Sequence, residues 1–313
     1  MLSVIIPAYN EEQNIKEAAD TICGILQKQL IEHELIFIDD GSLDQTFEAI
    51  TEMRQSLPQV RGLRFTRNFG KEAAIMAGLE AATGDCCVVM DCDLQHPPQC
   101  LPQMYELWQQ GNMIVEGVKT DRGEEGILYS FFAKTFYKII DRFTGIDLTN
   151  ASDYKLLDRR VVELLVALPE RDSFFRGLSA YFGFRKAQVY FKTAPRLRGN
   201  SKWTTWGLVR YALNNITSFS LAPLHAVTFL GYLLLLIFIV LGGQTLYNYL
   251  IGQAVAGFTT VILLQLLIGS ALLISLGVIG HYIARIYNEV KGRPRYVIEK
   301  ELKADTKEQG CLF

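Results

Sequence analysis

The feature that most constrains this chain is a long stretch without formal charge. From Tyr211 to Ala284 there is no Asp, Glu, Lys or Arg. The stretch contains two apolar runs, roughly Pro223–Leu241 and Phe258–Ile283, and each has the ~20 residues needed to cross a bilayer core. A buried helical hairpin in a soluble protein is the alternative, but the complete lack of charge favours the membrane. We therefore predict two transmembrane helices.

Basic residues flank this stretch on both outer sides, whereas the connector between the two runs has none. They are Arg196, Arg198, Lys202 and Arg210 before it, and Arg285, Lys291, Arg293 and Arg295 after it. Positive charge stays on the cytoplasmic side of a membrane. Met1 leads directly into a strand-like run without a signal-peptide pattern. We expect a multi-pass protein of the cytoplasmic (inner) membrane, with both termini in the cytoplasm.

These patterns divide the chain into four expected parts. Residues 1–201 are predicted to form a cytoplasmic domain, and residues 223–284 the two transmembrane helices with a short outside connector. Between them, residues 202–222 interleave Trp203, Trp206 and Tyr211 with basic side chains, which is typical of an interfacial amphipathic helix. An ordinary core helix is the alternative reading. Residues 285–313 are predicted to be a cytoplasmic tail, and its charged part after Arg295 has no readable function.

Charge distribution says more than net charge. The total is −2, which gives no reason to expect a nucleic-acid partner. No acidic residue occurs between Asp172 and Glu289, although nine basic ones do, and such a region attracts phosphates or merely borders a membrane. None of the six cysteines forms a CxxC pair, so buried free thiols in a reducing compartment are expected rather than disulfides or zinc.

Strand-like and helix-like segments alternate through the first part of the chain. This alternation predicts an α/β domain with a parallel sheet. The predicted strands are Ser3–Ile6, Glu34–Ile38, Val60–Thr66, Cys86–Met90 and Met113–Val118, and the predicted helices are Glu11–Gln29, Asp44–Ser56, Lys71–Ala82 and Pro98–Gln110. No GxGxxG follows the first strand and no GxxxxGK[ST] occurs, which argues against a dinucleotide fold or a P-loop.

Polar residues follow three of these strands directly, where ligands of parallel sheets bind. One group, Asp91-Cys92-Asp93, follows the apolar run Val88-Val89-Met90. Two carboxylates one residue apart at a strand end suit Mg²⁺ or Mn²⁺ and leave open positions for diphosphate oxygens. Gln95 is a candidate third ligand. A helix cap or a surface turn is the alternative explanation of such a pair.

Seven segments in order give the chain a family resemblance. They are SVIIPAYNEEQNI, IDDGSLDQT, TRNFGKEAA, DCDLQHPP, SDYKLLDRR, LPERDSFFRGL and RLRGNSKW. The chain resembles family-2 inverting glycosyltransferases with the GT-A fold, and among them the polyprenyl-phosphate hexosyltransferase branch. The resemblance covers nearly the whole chain. It implies a mostly parallel sheet flanked by helices, then an interfacial helix and a two-helix transmembrane hairpin.

The resemblance also implies roles for particular residues. The nucleotide-sugar donor would be bound by Pro7, Ala8, Tyr9, Glu11, Asp39, Lys71 and Asp91, although Lys71 could instead be a solvated lysine after a turn. The metal and the donor diphosphate would be held by Asp91, Asp93 and Gln95. Catalysis is assigned to Asp153 together with Asp93, and contacts with donor or acceptor phosphates to Arg122, Arg196 and Lys202.

The chain departs from the family pattern at several positions. It has Ser152-Asp153-Tyr154-Lys155 where the family usually has GDFR, and Lys119 and Thr193 where the family has Arg. The aspartate is kept, so the chemistry is expected to be kept. The phosphate contacts are expected to differ because lysine lacks the bidentate fork of arginine.

The expected reaction transfers a hexose from a nucleotide sugar to polyprenyl phosphate, with undecaprenyl phosphate and a UDP-sugar preferred. A phosphate monoester has a second pKa of about 6 and is already largely dianionic at pH 7. Asp153 is therefore expected to orient the acceptor or complete the charge around the metal, and a single displacement would invert configuration. The sugar stays open. A homotetramer, a flippase and a downstream glycosyltransferase are expected partners by resemblance.

The sequence argues against three other functions. A processive polysaccharide synthase would carry a QxxRW motif, which is absent, and more spans. A membrane-tethered binding subunit that has lost catalysis would show decay among the acidic residues, yet Asp91, Asp93 and Asp153 are all present. A transporter is disfavoured because neither span contains an internal charge.

Overall fold

A computed structural model describes residues 1–120, 152–170, 175–192, 222–252 and 257–302. The strands are β1 (Leu2–Ala8), β2 (His33–Asp39), β3 (Val60–Phe65), β4 (Cys86–Val89), β5 (Ile114–Lys119), β6 (Lys155–Asp158), β7 (Lys186–Phe191) and β8 (Ile298–Leu302). The helices are α1 (Ile15–Lys28), α2 (Thr46–Ser56), α3 (Lys71–Ala81), α4 (Leu101–Gln109, preceded by a 3₁₀ turn), α5 (Arg159–Ala167), α6 (Phe175–Tyr181), α7 (Ala222–Leu250) and α8 (Phe258–Val290).

The five strands and four helices predicted from the sequence are all present. The largest shift is at α1, which begins at Ile15 rather than Glu11. Residues 11–14 form a turn in which the Asn14 amide donates to the Glu11 carbonyl at 2.9 Å. The predicted α/β fold class is confirmed by these elements.

The eight strands form one mixed sheet in the order β7-β5-β6-β4-β1-β2-β3-β8. The pairs β4–β1, β1–β2, β2–β3 and β5–β7 are parallel, whereas β6 pairs antiparallel with β4 and β5, and β8 with β3. The central strand β1 is buried at six of its seven residues. This burial fits a strand covered by helices on both faces.

Helices cover the sheet with apolar faces at helical spacing. On α1 the buried residues are Ile15, Ala18, Ala19, Ile22, Cys23 and Leu26, which recur every three or four positions along one face. Helix α3 packs on β1 and β2, and there Gly78 allows close approach, because a Cβ at this position would lie 2.3 Å from the Ile5 side chain.

The chain reverses its direction across the sheet at β1, which positions the site. From β1 it steps to β2 and β3 on one side, and then crosses by α3 to β4 on the other side of β1. The connections that leave the carboxyl ends of β1 and β4 therefore diverge and open a crevice, which is where α/β sheets bind their ligands.

Antiparallel pairing of β6 with β4 brings a second acidic segment to the same end of the sheet. Val89 of β4 pairs with Lys155 of β6. Two residues further along, the same register aligns Asp91, which follows β4, with Asp153, which precedes β6. The sequence did not predict β6, so this alignment could not be read from the predicted strands.

The segment after the apolar helices returns to the sheet, which the sequence did not predict. Residues Ile298–Leu302 form β8 on the edge strand β3, and the Thr66 amide donates to the Val297 carbonyl at 3.0 Å. The Tyr296 ring stacks on Phe65 with centroids 5.0 Å apart. The tail predicted to have no readable function thus completes the sheet.

The chain separates into two compact units, Met1–Trp203 with Pro294–Phe313, and Thr204–Arg293. In the second unit, the segments Leu224–Asn248 and Leu267–Val290 are long and apolar enough to cross a membrane, with mean hydropathies of 2.5 and 1.9. Within these two segments the most apolar windows are 0% and 6% buried, unlike the core helices of a soluble protein. The predicted segment 202–222 lies outside the described residues, except for Ala222.

Candidate active site

A cavity of about 310 Å³ lies where the connections after β1, β2, β3 and β4 meet. It is lined by Pro7, Ala8, Tyr9, Glu11, Asp40, Asn68, Gly70, Lys71, Ala74, Asp91, Cys92 and Asp93. Seven of the residues that we assigned to the donor or the metal are among them. Asp39 and Gln95 are not among the described residues that line it. Arg122, Arg196 and Lys202 lie outside the described residues.

The connections after β1 and β2 are fastened to each other by side chain–backbone hydrogen bonds. The Asn10 amide donates to Ser42 Oγ at 2.9 Å, and Asn10 Oδ1 accepts from the Leu43 amide at 2.9 Å. Asn10 has φ 55°, a conformation that asparagine tolerates better than most residues. The Glu11 amide donates to Thr46 Oγ1 at 2.9 Å. This wall of the cavity, which carries Tyr9 and Glu11, is therefore braced before any ligand binds.

The two aspartates after β2 have different environments. Asp39 is fully buried, and its Oδ1 accepts from the Ser42 amide at 2.9 Å, while its Oδ2 lies 3.5 Å from Arg64 Nε. Asp40 lines the cavity and accepts from the amides of Phe69 and Gly70 at 2.7 and 2.9 Å. Burial raises the pKa of both carboxyl groups.

We assigned Asp39 to the donor, but the cavity residue is its neighbour Asp40. Alternate residues of a strand point to opposite faces. Of the two consecutive aspartates, Asp39 therefore lies under the loop and Asp40 lies beside the cavity. The following Gly41 has φ 66°, and a Cβ there would lie 2.3 Å from the Arg67 carbonyl carbon. Only glycine fits this contact between the two connections.

Four charged side chains form a chain of ion pairs at the end of β4. Lys71 Nζ lies 2.6 Å from Asp91 Oδ1 and 3.0 Å from Asp153 Oδ2. Arg176 donates two hydrogen bonds to Asp153, from Nε to Oδ1 at 2.6 Å and from a terminal nitrogen to Oδ2 at 2.8 Å. Lys71 begins α3, and Arg176 lies in α6. Residues far apart in sequence therefore meet around Asp153, which is 5% exposed.

This arrangement fixes the charge state of the buried acid. Burial alone would raise the pKa of Asp153, but the charges of Lys71 and Arg176 and their hydrogen bonds hold it well below its usual range. Likewise, burial opposes the charge of Lys71, while Asp91 and Asp153 raise its pKa above the usual value. At neutral pH all of these groups are ionised.

Arg176 was not among the residues that sequence reasoning selected. The segment LPERDSFFRGL contains both Arg171 and Arg176, and the sequence does not indicate which of them contacts Asp153. Glu72, the neighbour of Lys71, was missed as well. Glu72 Oε2 accepts from the Phe175 amide at 2.9 Å, and burial, together with the charge of Asp153, raises the pKa of Glu72 to about 7.

The residues around Asp153 that differ from the family pattern form hydrogen bonds within the fold. Ser152 Oγ donates to the Gly117 carbonyl at 2.6 Å, and the Tyr154 hydroxyl donates to the Pro97 carbonyl at 3.1 Å. Lys155 is fully buried, and its Nζ lies 2.9 Å from both Glu116 Oε1 and Ser179 Oγ. Each replaced side chain thus has a local hydrogen-bond partner, so the segment is held on both sides of Asp153.

The predicted metal residues lie in the turn after β4. Asp93 Oδ1 accepts from the Gln95 amide at 3.1 Å, and the Asp91 amide donates to Nδ1 of His96, whose ring stacks on Tyr154. In the described ranges, no group of three or more His, Cys, Asp or Glu side chains is arranged to hold a metal. Two carboxylates at one cavity nevertheless fit a hard divalent cation that takes its remaining ligands from a diphosphate and water.

Comparison with known proteins gives matches along most of the chain. The sequence model of Glycosyl transferase family 2 matches residues 3–165. A glycosyltransferase of Synechocystis is 38% identical over 95% of this chain and 94% of its own length. The SfII prophage-derived bactoprenol glucosyl transferase of Shigella flexneri is 38% identical over 96% of this chain and 97% of its own.

Among solved structures, glucosyl-3-phosphoglycerate synthase of Mycobacterium tuberculosis in complex with uridine diphosphate is similar. It is 25% identical, with a TM-score of 0.47, over 71% of this chain and 79% of that chain.

Proposed function

This chain belongs to glycosyl transferase family 2, with its GT-A fold, and from that premise we propose that it transfers a hexose from a nucleotide sugar to polyprenyl phosphate. The observation that carries the proposal is the ion-paired chain Asp91–Lys71–Asp153, of which Asp91 and Lys71 line the cavity of about 310 Å³. The Shigella flexneri relative, named a bactoprenol glucosyl transferase, aligns over 97% of its length and supports the acceptor class.

The donor binds in the cavity, with its base and ribose against the braced wall after β1. Pro7, Ala8, Tyr9 and Glu11 contact the nucleoside, and Asp40 rather than Asp39 reaches it from the neighbouring strand end, because only Asp40 lines the cavity among these two. Glucose is the preferred sugar, since the Shigella flexneri relative is named for glucosyl transfer, and uridine is the base expected from the family resemblance.

Asp91 and Asp93, with Gln95 beside them, would hold a Mg²⁺ or Mn²⁺ ion. When bound, this ion supplies positive charge to the donor diphosphate, which is the leaving group. Lys71 lines the same cavity and supplies a second positive charge, which stabilises the negative charge that develops on the leaving group. Arg122, Arg196 and Lys202 remain candidates for the other phosphate contacts.

Asp153 orients the acceptor side of the site and does not serve as a proton acceptor. A carboxylate whose pKa is held well below its usual range by two cations is a weak base. The proposed nucleophile is a phosphate oxygen that is already largely ionised at pH 7, so it needs no base. The acceptor phosphate oxygen attacks the anomeric carbon in line with the departing diphosphate. A new carbon–oxygen bond forms as the bond to the diphosphate oxygen breaks, and the configuration of that carbon is inverted.

The two apolar helices anchor the enzyme at the membrane that holds its acceptor. Strand β8 follows these helices and pairs with β3 of the first unit. If the helices cross the bilayer, the chain must cross an even number of times to return to the same side. This supports a hairpin with both ends on the cytoplasmic face, as the flanking basic residues also indicate.

The test is transfer of label in detergent. The full chain is incubated with undecaprenyl phosphate, Mg²⁺ or Mn²⁺, and a panel of radiolabelled UDP- and GDP-sugars. We expect one sugar to enter the lipid fraction, with turnover lost on chelation and in Asp93→Ala but kept in Asp20→Ala, which changes an exposed aspartate of α1. If a nucleotide binds but no donor labels the lipid, the acceptor assignment is wrong.

A further inference from the structure

We propose that Arg176 is a positioning residue that fixes the carboxylate of Asp153 and, through it, the ammonium of Lys71 at the donor cavity. The inference rests on the proposed function. Arg176 carries no assigned role in the donor, metal or acceptor sites above. It makes the only bidentate contact with Asp153 among the described residues.

The first step is the geometry of the carboxylate. Arg176 donates to both oxygens of Asp153, and Lys71 lies 3.0 Å from Oδ2. A planar guanidinium that binds both oxygens fixes the orientation of a carboxylate as well as its position. Asp153 therefore cannot rotate without breaking two charge-assisted hydrogen bonds.

The second step is the anchoring of the helix that carries Arg176. Helix α6 has only seven residues, and polar contacts hold it in addition to the packing of its buried Phe175 and Leu178. Glu72 accepts from the Phe175 amide at 2.9 Å, and Lys155 Nζ lies 2.9 Å from Ser179 Oγ and 3.5 Å from the Arg176 carbonyl. Glu72 is the neighbour of Lys71, and Lys155 is two residues from Asp153. Glu72 and Lys155, which lie close in sequence to Lys71 and Asp153, thus hold helix α6 in place. Arg176 of this helix in turn binds Asp153.

The third step is the consequence for Lys71. Its ammonium lies between Asp91 Oδ1 and Asp153 Oδ2, at 2.6 and 3.0 Å, and its side chain is 42% exposed toward the cavity. Asp91 belongs to the predicted metal group. When a cation and a diphosphate engage Asp91, Asp153 is the remaining carboxylate that can keep Lys71 in place. The bidentate contact of Arg176 with Asp153 therefore determines the position of the Lys71 ammonium when the leaving group departs.

The proposal predicts a separation of catalysis from binding. A misplacement of about 1 Å can cost about 10²-fold in rate, so we expect Arg176→Ala to lower kcat by about 10²-fold. The donor KM and the affinity for nucleotide diphosphate without metal should stay within about threefold, because Arg176 lies behind Asp153 rather than in the cavity wall. Lysine restores charge without the fork, so Arg176→Lys should recover part of kcat.

A double-mutant cycle separates positioning from a merely structural role. If Arg176 acts through Asp153, Arg176→Ala combined with Asp153→Ala should be no slower than Asp153→Ala alone. The control is Arg160→Ala, which removes a surface arginine whose side chain is 77% exposed and should leave kcat unchanged. Melting temperatures of all variants identify any that fail to fold.

The cycle is run with full-length enzyme on whichever acceptor gives turnover, water included. Losses that multiply in the double variant, or near-normal kcat in folded Arg176→Ala, overturn the positioning role while leaving the proposed function intact. A tenfold or larger loss of nucleotide affinity in Arg176→Ala also overturns it, because that result assigns Arg176 to donor binding. If the wild type turns over no donor with any acceptor, the proposed function fails, and this inference fails with it.

Discussion

Several buried charges in this protein are held by specific partners rather than by solvent. Asp153 has Arg176 and Lys71, Asp40 has two backbone amides, and Lys155 has Glu116. A buried charge is tolerated only when it is paired and hydrogen-bonded. Replacing one partner therefore affects the charge left behind, and the residue-scale predictions follow from this.

The Asp153→Asn variant tests whether this acid accepts a proton. We expect kcat to fall by about 10²-fold, since the amide loses the charge that holds Lys71 and Arg176. The pKa of Asp153 is held well below its usual range, so it stays ionised from pH 5 to pH 9. The pH profiles of kcat should be parallel for wild type and variant over that range. A limb that is present only in the wild type would assign Asp153 as a base.

Glu72 predicts a pH-dependent contribution to stability. Burial, and next the charge of Asp153, raise its pKa from 4.5 to about 7. A raised acid pKa means that the folded state favours the protonated form, so its stabilising contribution is complete below pH 4.5 and is lost as pH rises through 7. Glu72→Gln keeps an acceptor for the Phe175 amide and cannot ionise.

We therefore expect Glu72→Gln to gain stability relative to wild type as pH rises from 5 to 8, by on the order of 2 kcal/mol. Melting temperatures across this range measure the gain. Glu163→Gln, at an exposed position of α5, is the matched control and should show no such trend. A difference that is constant with pH would contradict the shifted pKa of Glu72.

At the scale of elements, residues 295–302, which follow the apolar helices and include β8, contact several other elements. Tyr296 stacks on Phe65 and donates its hydroxyl to Glu80, and Arg295 donates to the carbonyls of Leu168 and Glu170. Arg64 links Glu299 of this segment to Asp39. Residues 295–302 are thus linked to Asp39 at the end of β2, through Arg64, and to the segment after α5.

Tyr296 provides a graded test of this segment. Tyr296→Phe removes one hydrogen bond and should cost about 1 kcal/mol of stability. Tyr296→Ala also removes the ring stacked on Phe65 and should cost about 3 kcal/mol. Thermal unfolding of the detergent-solubilised chain orders the variants, with Tyr190→Ala, at a ring that is 63% exposed, as the control. Equal melting temperatures for all of them would show that Tyr296 does not stabilise the first unit.

The sequence predicted those parts of the site that depend on local patterns. Asp91 and Asp93 follow a run of buried residues, and Pro7 to Glu11 follow another, so their position at one edge of the sheet could be predicted. The contact of Arg176 with Asp153 could not be predicted, because it depends on the antiparallel pairing of β6 and on the packing of the seven-residue helix α6. Strand β8 is exposed at four of its five positions, so it carries no hydrophobic pattern to read.

At the scale of the whole molecule, the order of segments constrains topology. The first unit contains both residues 1–203 and the segment after residue 293, with two apolar helices between them. Epitope tags at the two termini should therefore lie on the same side of the membrane. In sealed inside-out vesicles we expect both tags to be cleaved by added protease, and in right-side-out vesicles neither. Opposite protection of the two tags would contradict a hairpin.

The central claim is that this chain joins a hexose to polyprenyl phosphate by a single displacement. The most direct measurement is the NMR spectrum of the lipid product made by the full-length enzyme from an α-linked nucleotide sugar. We predict a sugar phosphate with β configuration at the anomeric carbon. An α-linked product, or label recovered only as free sugar while no lipid product forms, would contradict the claim.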